Sequence, residues 1–114
     1  MIVDGDDELV GRYVFSLLNM QYQSTDKWLV YTNFFSSEYY YGGSRPLLKS
    51  FFGRVRQRYY VIAPLRTFYV DLYRKINDTD HKDNNGTFFD TAYDFAMQYP
   101  LLEMARTIHT EYVP

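Results

Sequence analysis

The middle of the chain reads RPLLKSFFGRVRQRYYVIAPLRTFYVDLYRK, from Arg45 to Lys75, and the rest of the sequence can be related to this basic stretch. It holds eight of the twelve Lys and Arg residues and a single acid, Asp71. The other positions hold four basic residues and thirteen acids. The formal net charge of -2 is therefore the sum of a basic segment and acidic flanking segments. Because a field of one sign attracts partners of the other, this division constrains what the surface can bind.

The first part of the basic stretch has the periodicity of an amphipathic helix. At about 100° per residue, one apolar arc contains Leu48, Phe51, Phe52, Val55, Tyr59 and Ile62. Ser44 is suited to the N-cap, and Pro46 is tolerated in a first turn because its missing N–H would have no helical partner there. A strand over the same residues would not separate charged from apolar side chains. The spacing therefore predicts a helix over 45–63, although Gly53 costs it about 1 kcal/mol relative to alanine.

Four acids lie close to the start of the sequence, at Asp4, Asp6, Asp7 and Glu8. Apolar residues follow them at helical spacing, which predicts a first helix over 4–23 with the acids as its cap and its negative first turn. Capping is the preferred interpretation of the four acids. The alternative is an electronegative patch for a basic partner.

Three further segments have helical character. Residues 27–35 would be apolar on both faces as a strand, yet Asp26 can cap a short helix, and a helix is our prediction for this segment. Helical spacing returns over 65–76, although 67–73 can also be a strand. It appears again over 87–112, where Pro100 kinks or restarts the helix.

These segments together predict a mainly α fold, a compact bundle of about five helices in a single domain over 1–114. The alternative fold class is α+β, with a small sheet formed by segments near 27–35, 57–63 and 67–74.

Length and composition exclude several classes of protein. A chain of 114 residues is long enough for one core but not for two. No apolar run approaches the ~18 residues of a membrane span, and no leader-like segment opens the sequence. Without cysteine there is no disulfide, no thiolate chemistry and no cysteine-bound zinc. We therefore expect a soluble, intracellular protein and do not expect a membrane as its partner.

The sequence contains no convincing catalytic or metal-binding pattern. Residues 78–86 crowd acids and His81 together, but a calcium-binding loop aligned on Gly86 would need an acid in place of His81 and a glutamate in place of Ala92. The other histidine, His109, suits the negative end of the last predicted helix. Motifs for phosphate loops, dinucleotide sites, serine nucleophiles and paired-histidine zinc sites are missing. We predict no catalytic residue, no metal and no cofactor, and a protein that is not an enzyme.

Short motifs in the first part of the chain resemble a known family. Val10-Gly11-Arg12 and Leu17-Leu18-Asn19 are followed by Phe34-Phe35-Ser36-Ser37 and Tyr40-Tyr41-Gly42-Gly43. This order is similar to the opening of nuclear transport factor 2-like domains, in which two helices lead into a glycine-marked strand. The resemblance implies long strands towards the C-terminus, where this sequence has helical spacing instead, and no site residue is carried over from it.

The aromatic content points towards contact with a partner. Thirteen Tyr and nine Phe exceed what a core of this size can absorb, so some of these rings must face outward. With the basic stretch, they predict a non-enzymatic protein-interaction module, as an adaptor, an inhibitor or a homo-oligomer subunit, whose partner is another protein or a second copy. The candidate partner-binding residues are Tyr39, Tyr40, Tyr41, Tyr59 and Tyr60 as contacts, and Arg54, Arg56 and Arg58 for orientation.

The alternative function is binding of RNA or single-stranded DNA through the same basic stretch. Its cations can contact phosphates, and the tyrosines interleaved with them offer stacking surfaces for bases.

Overall fold

A computed structural model describes residues 1–36, 38, 43–57, 62 and 65–114. These residues form the helices α1 (Val14–Ser24), α2 (Val70–Tyr73) and α3 (Tyr93–Ala105) and the strands β1 (Leu29–Thr32), β2 (Arg66–Phe68) and β3 (Thr110–Val113). The three strands form one mixed sheet. The predicted bundle of about five helices is therefore wrong, and the α+β alternative fits better.

Strand β1 lies at the centre of the sheet, in the order β2-β1-β3. It runs antiparallel to β2, with Leu29 opposite Phe68, and parallel to β3, with Leu29 opposite Thr110. The helix predicted over 27–35 is wrong, and the apolar character of both faces has a simple cause. A central strand covered on both sides needs apolar residues at successive positions, not at alternate ones.

The side chains of β1 alternate between two separate clusters of apolar residues. Leu29 and Tyr31 point to the larger cluster, which also contains Val55, Ile62, Leu72, Met97, Leu101, Leu102 and Ala105. Val30 points to the opposite side, where it packs with Leu18 of α1 and with Leu65. The sheet is thus a middle layer, with α3 on one face and α1 on the other.

Helix α1 begins ten residues later than the sequence predicts, at Val14 and not at Asp4. Gly11 has a φ of +94°, a left-handed conformation that a right-handed helix cannot contain. The first turn of α1 contains no acid. The interpretation of the N-terminal acids as a helix cap is therefore wrong, and they require another explanation.

The helix predicted over 45–63 is also wrong. Within 45–57 the backbone forms only two short 3₁₀ turns, Lys49–Phe51 and Val55–Gln57, on either side of Gly53. The apolar residues still reach the core, because Val55 is buried in the larger cluster and Phe51 and Phe52 pack against it. Of the segment 57–63, proposed for the alternative sheet, Gln57 and Ile62 are not in a strand, and 58–61 and 63 lie outside the described residues.

Helix α3 is the longest helix of the described part, with 13 residues. It starts at Tyr93 and continues through Pro100 to Ala105. The predicted helix over 87–112 is therefore too long at both ends. The last residues of that predicted range form β3 instead of a helix. Within the described ranges, no helix combines the length and the apolar character needed to cross a membrane.

We expect Leu101→Ala to lower the free energy of unfolding by about 2–5 kcal/mol, because it removes a large side chain from a closely packed interior. Leu101, on α3, is 0% exposed and belongs to the same apolar cluster as Leu29 and Tyr31 of β1, whereas Leu48 is 72% exposed. Leu48→Ala is the matched control and should change stability by no more than about 0.5 kcal/mol. Urea denaturation followed by circular dichroism measures both values, and similar losses in the two variants would contradict this description of the core.

Candidate functional site

The N-terminal segment forms one wall of a groove on the α1 side of the sheet. The backbone N–H of Ile2 donates to the carbonyl of Arg66 at 3.0 Å, which fixes the start of the segment to the edge of β2. A turn then closes with a hydrogen bond from the N–H of Asp7 to the carbonyl of Asp4 at 3.1 Å. Residues of this segment, of α1 and of the sheet line one groove, and the acids are among them.

The floor of this groove is apolar. Six of its buried and half-buried lining residues belong to the smaller apolar cluster, namely Val3, Leu9, Val14, Leu18, Leu65 and Val113. The groove has a volume of about 1120 Å³, which is large for a small-molecule pocket and large enough for a segment of polypeptide. More exposed apolar residues flank the floor, among them Val10, which is 80% exposed, and Leu17.

Five carboxylates line the same groove. They belong to Asp4, Asp6, Asp7, Glu8 and Glu38. None of the five forms an ion pair with any residue that the structure describes. No Lys or Arg occurs among the described residues that line the groove. We call this feature, the apolar floor with its five carboxylates, the acid-rimmed groove.

The opposite face of the sheet carries residues 45–54 of the basic stretch, which we call the cationic loop. Two tyrosine hydroxyl groups hold its backbone. The hydroxyl of Tyr31 donates to the carbonyl of Arg45 at 2.7 Å and accepts the N–H of Leu47 at 3.0 Å. The hydroxyl of Tyr112 donates to the carbonyl of Ser44 at 3.2 Å. Burial is the main reason that the pKa of Tyr31 is raised, so this hydroxyl stays protonated and keeps its donor.

The structure divides the cations of the basic stretch into two groups. Arg56 makes two hydrogen bonds to the carboxylate of Glu103, at 2.8 and 2.9 Å, which raise its pKa. Arg66 is buried and pairs with Asp94 at 3.0 Å, and Arg74 pairs with Asp71. The second group makes no ion pair with a described residue and contains Arg45, Lys49, Arg54 and Lys75, all of them exposed.

Only two of the predicted partner-binding residues lie in the described part of the chain. Arg54 is exposed in the cationic loop, whereas the guanidinium of Arg56 is already bound by Glu103, with Asp80 at 3.8 Å. The others, Tyr39, Tyr40, Tyr41, Arg58, Tyr59 and Tyr60, lie outside the described residues. Aromatic rings do reach the surface elsewhere, at Tyr13, Phe15, Phe34, Phe35, Tyr69, Tyr73, Phe88, Phe89 and Tyr93.

His109 lies just before β3 and not on a helix. Its ring stacks on Trp28, with the ring centroids 3.6 Å apart and the planes 3° from parallel. Asp26 joins the two rings, because its carboxylate accepts the indole N–H of Trp28 at 3.1 Å and lies 3.3 Å from Nδ1 of His109. These contacts connect the start of β1 to the start of β3, so they give His109 a structural role.

The acidic segment 78–86 is a structured turn. The carboxylate of Asp83 accepts the backbone N–H groups of Thr87 and Asn85, at 2.9 and 2.8 Å, and these bonds lower its pKa. Asp78 pairs with Lys82. A search of the described residues finds no group of three or more His, Asp and Glu side chains arranged to hold a metal ion.

The sequence predicts an electronegative patch at Asp4, Asp6, Asp7 and Glu8 only as the alternative to capping, and it predicts neither the groove nor Glu38 as part of it. The concentration of acids at positions 4–8 was the available signal, and the helical periodicity that follows led to the capping interpretation. The apolar floor could not be predicted, because Leu65 and Val113 join Leu18 there only through the pairing of the three strands.

Comparisons with models of protein families, with curated proteins and with solved structures give no match to this chain. The resemblance to nuclear transport factor 2-like domains therefore finds no support in them. Phe34 and Phe35, part of the motif that carried it, lie after β1 and not in a strand. The functional inference rests on the groove and the loop themselves.

We expect Tyr31→Phe to loosen the cationic loop. The change leaves the N–H of Leu47 and the carbonyl of Arg45 without the hydroxyl that both now contact, at a cost of about 1–3 kcal/mol in the free energy of unfolding. Hydrogen exchange should then show faster exchange at the Leu47 amide. Tyr93→Phe is the control, because Tyr93 is exposed and its hydroxyl bonds no described residue. Unchanged exchange at Leu47 would show that Tyr31 does not position the loop.

Proposed function

We propose that this protein is a non-enzymatic protein-interaction module, and that the acid-rimmed groove is a docking surface for a basic protein segment bearing apolar side chains. The observation that carries the proposal is the set of five carboxylates, without ion-pair partners in the described part, in a groove with an apolar floor.

The two components of the groove have different roles in this proposal. Burial of apolar side chains against Leu9, Val14 and Leu18 supplies most of the affinity, at roughly 25 cal/mol per Å² of apolar surface removed from water. The carboxylates select cationic partners, raise the association rate and reject acidic segments. Nucleic acids and anionic lipids are rejected at this groove for the same reason, since both present phosphate groups.

The exposed aromatic residues and the basic stretch form the second part of the module. Arg54 and its neighbours in the cationic loop orient an acidic partner surface, and the partner is another protein or a second copy of this chain. Arg56 is available for this role only if it leaves Glu103, which makes it a weaker contributor than Arg54.

We expect the groove to bind a synthetic peptide in which lysine and leucine alternate. Fluorescence anisotropy at low salt should detect binding, and a glutamate–leucine peptide of equal length should not bind. The variant Asp6→Asn, Asp7→Asn, Glu8→Gln keeps side-chain size and removes three charges. If each charge contributes roughly 0.5 kcal/mol, the peptide affinity falls about tenfold.

Asp90→Asn provides the control for this measurement, because Asp90 is exposed and lies outside the groove lining. It should leave the peptide affinity unchanged. Equal binding of the two peptides, or equal affinity for wild type and the triple variant, would rule out the groove as the docking surface.

The second candidate function is binding of RNA or single-stranded DNA by the basic stretch. Four of its cations, Arg45, Lys49, Arg54 and Lys75, make no ion pair within the described part, and Tyr69 and Tyr73 are exposed after β2. Such cations can contact phosphates, and exposed tyrosine rings can stack on bases.

If the basic stretch binds nucleic acid, a single-stranded oligonucleotide should shift in a gel at low salt. Lys49→Gln with Arg54→Gln should weaken the shift, and the affinity should fall steeply as salt rises, because bound phosphates release counterions. Tyr93→Phe serves as a control outside the stretch. The absence of a shift with both single-stranded and duplex probes at low salt would eliminate this second function.

A further inference from the structure

The chain carries a positively charged surface on one face of the sheet and a negatively charged surface on the other. The cationic loop packs beside the larger apolar cluster, with Leu47 and Phe51 against it, on the face to which Leu29 and Tyr31 point. The acid-rimmed groove lies on the face to which Val30 points. The sheet lies between the two surfaces, which approach each other where the ring of Phe34, in the groove lining, lies against Gly43, two residues before the loop.

The cationic loop has the chemistry that the groove selects. Arg45, Lys49 and Arg54 are exposed and make no ion pair with a described residue. Between the first two lies Leu48, an apolar side chain that is 72% exposed although its neighbours in sequence pack inward or carry charge. A leucine flanked by cations matches an apolar floor in a groove lined by carboxylates.

The loop is also held in a defined shape. The hydroxyl of Tyr31 bonds the backbone at Arg45 and at Leu47, one on each side of Pro46. The 3₁₀ turn Lys49–Phe51 follows directly. A surface segment that is already ordered loses less conformational entropy when it binds than a flexible one, which favours association.

We propose that the cationic loop of one copy docks into the acid-rimmed groove of a second copy, so that the protein associates head to tail. This inference rests on the proposed function of the groove and names its occupant. Because the groove and the loop are different surfaces on different faces, the contact between two copies is heterologous. An open chain of copies therefore keeps a free groove at one end and a free loop at the other. The assembly therefore grows with concentration into rings or open chains and does not stop at a two-fold dimer.

Electrostatic attraction contributes to this contact, so salt weakens it. Exposed charges are screened beyond about 10 Å at 0.1 M salt and beyond about 3 Å at 1 M. We expect wild-type protein to exceed the 13.7 kDa mass of a single chain as its concentration rises at low salt. Raising the salt from about 0.05 M to about 0.5 M should lower the association constant at least about tenfold.

Two variants, each blocked on one surface, test the proposal directly. Asp6→Lys with Asp7→Lys removes most of the negative charge of the groove, and Lys49→Glu with Arg54→Glu reverses the charge of the loop. Each variant alone should remain monomeric, since one of its two surfaces is blocked. A mixture should form a 1:1 complex of twice the chain mass and nothing larger, because it contains only one intact groove and one intact loop per pair. Sedimentation or light scattering measures these masses.

Control variants separate docking from general effects of charge and from misfolding. Asp90→Lys changes charge outside the groove and the basic stretch and should associate like wild type. Two neutral variants, Asp6→Asn with Asp7→Asn and Lys49→Gln with Arg54→Gln, replace the charged ones if these misfold. Each neutral variant should weaken self-association, but by less than the corresponding charged variant. Circular dichroism verifies folding of each variant before its mass is measured.

The result that overturns the inference is a wild-type monomer at low salt and high concentration, or association that persists in both blocked variants. A mixture of the two blocked variants that stays monomeric also overturns it. The lysine–leucine peptide distinguishes this failure from failure of the groove itself. If the peptide binds but the protein does not self-associate, only the second copy is excluded as the occupant of the groove. If neither peptide binding nor self-association is observed, the groove itself is excluded as a docking surface.

Discussion

The structure depends on the burial of both faces of β1. Leu29, Val30 and Tyr31 are successive residues with exposures of 0, 0 and 1%. Because neighbouring side chains of a strand point to opposite sides, three consecutive apolar residues require a covering layer on each side. Helix α3 with the residues around Val55 supplies one layer, and helix α1 with Leu65 supplies the other. The position of every surface feature follows from the layer to which it belongs.

This layered arrangement keeps the two charged surfaces apart. The carboxylates that neutralise the basic stretch come from later parts of the chain or from within the stretch itself, namely Asp80, Asp94 and Glu103 for Arg56 and Arg66, and Asp71 for Arg74. The acids at 4–8 lie on the other face and reach none of these cations. A nearly neutral chain therefore presents a strongly acidic groove on one side and an exposed cationic loop on the other.

The sequence was more informative about which residues are apolar than about the backbone that carries them. Phe51, Phe52 and Val55 were assigned to one buried stripe and do pack together, but on 3₁₀ turns and not on a helix, since Gly53 separates two short segments. Helical and extended periodicity cannot be distinguished in a short apolar run such as 27–35. Strand β3 was missed because its parallel pairing with β1 joins residues about eighty positions apart, and local spacing contains no sign of it.

The same limit applies to the site. The concentration of acids and the concentration of cations could be predicted, whereas the role of Arg54 in contact with a partner stays a prediction. The sequence could not predict that the two surfaces lie on opposite faces of the sheet. This placement depends on the alternation of side chains along β1 and on the left-handed conformation of Gly11, after which α1 begins without the acids. The acids do not cap α1, and Asp6, Asp7 and Glu8 are exposed to solvent.

The distance between the two charged surfaces within one copy is the most direct test of their separation. The chain has no cysteine, so Asp6→Cys and Arg54→Cys in one molecule accept two spin labels at defined positions. Pulsed electron paramagnetic resonance, with the labelled chain diluted into unlabelled protein, then measures the intramolecular distance. We expect a distribution centred beyond about 20 Å, because a packed layer of about 10 Å lies on each side of the sheet. A main population below about 15 Å would show the acids folded onto the loop and would contradict the separation of charge.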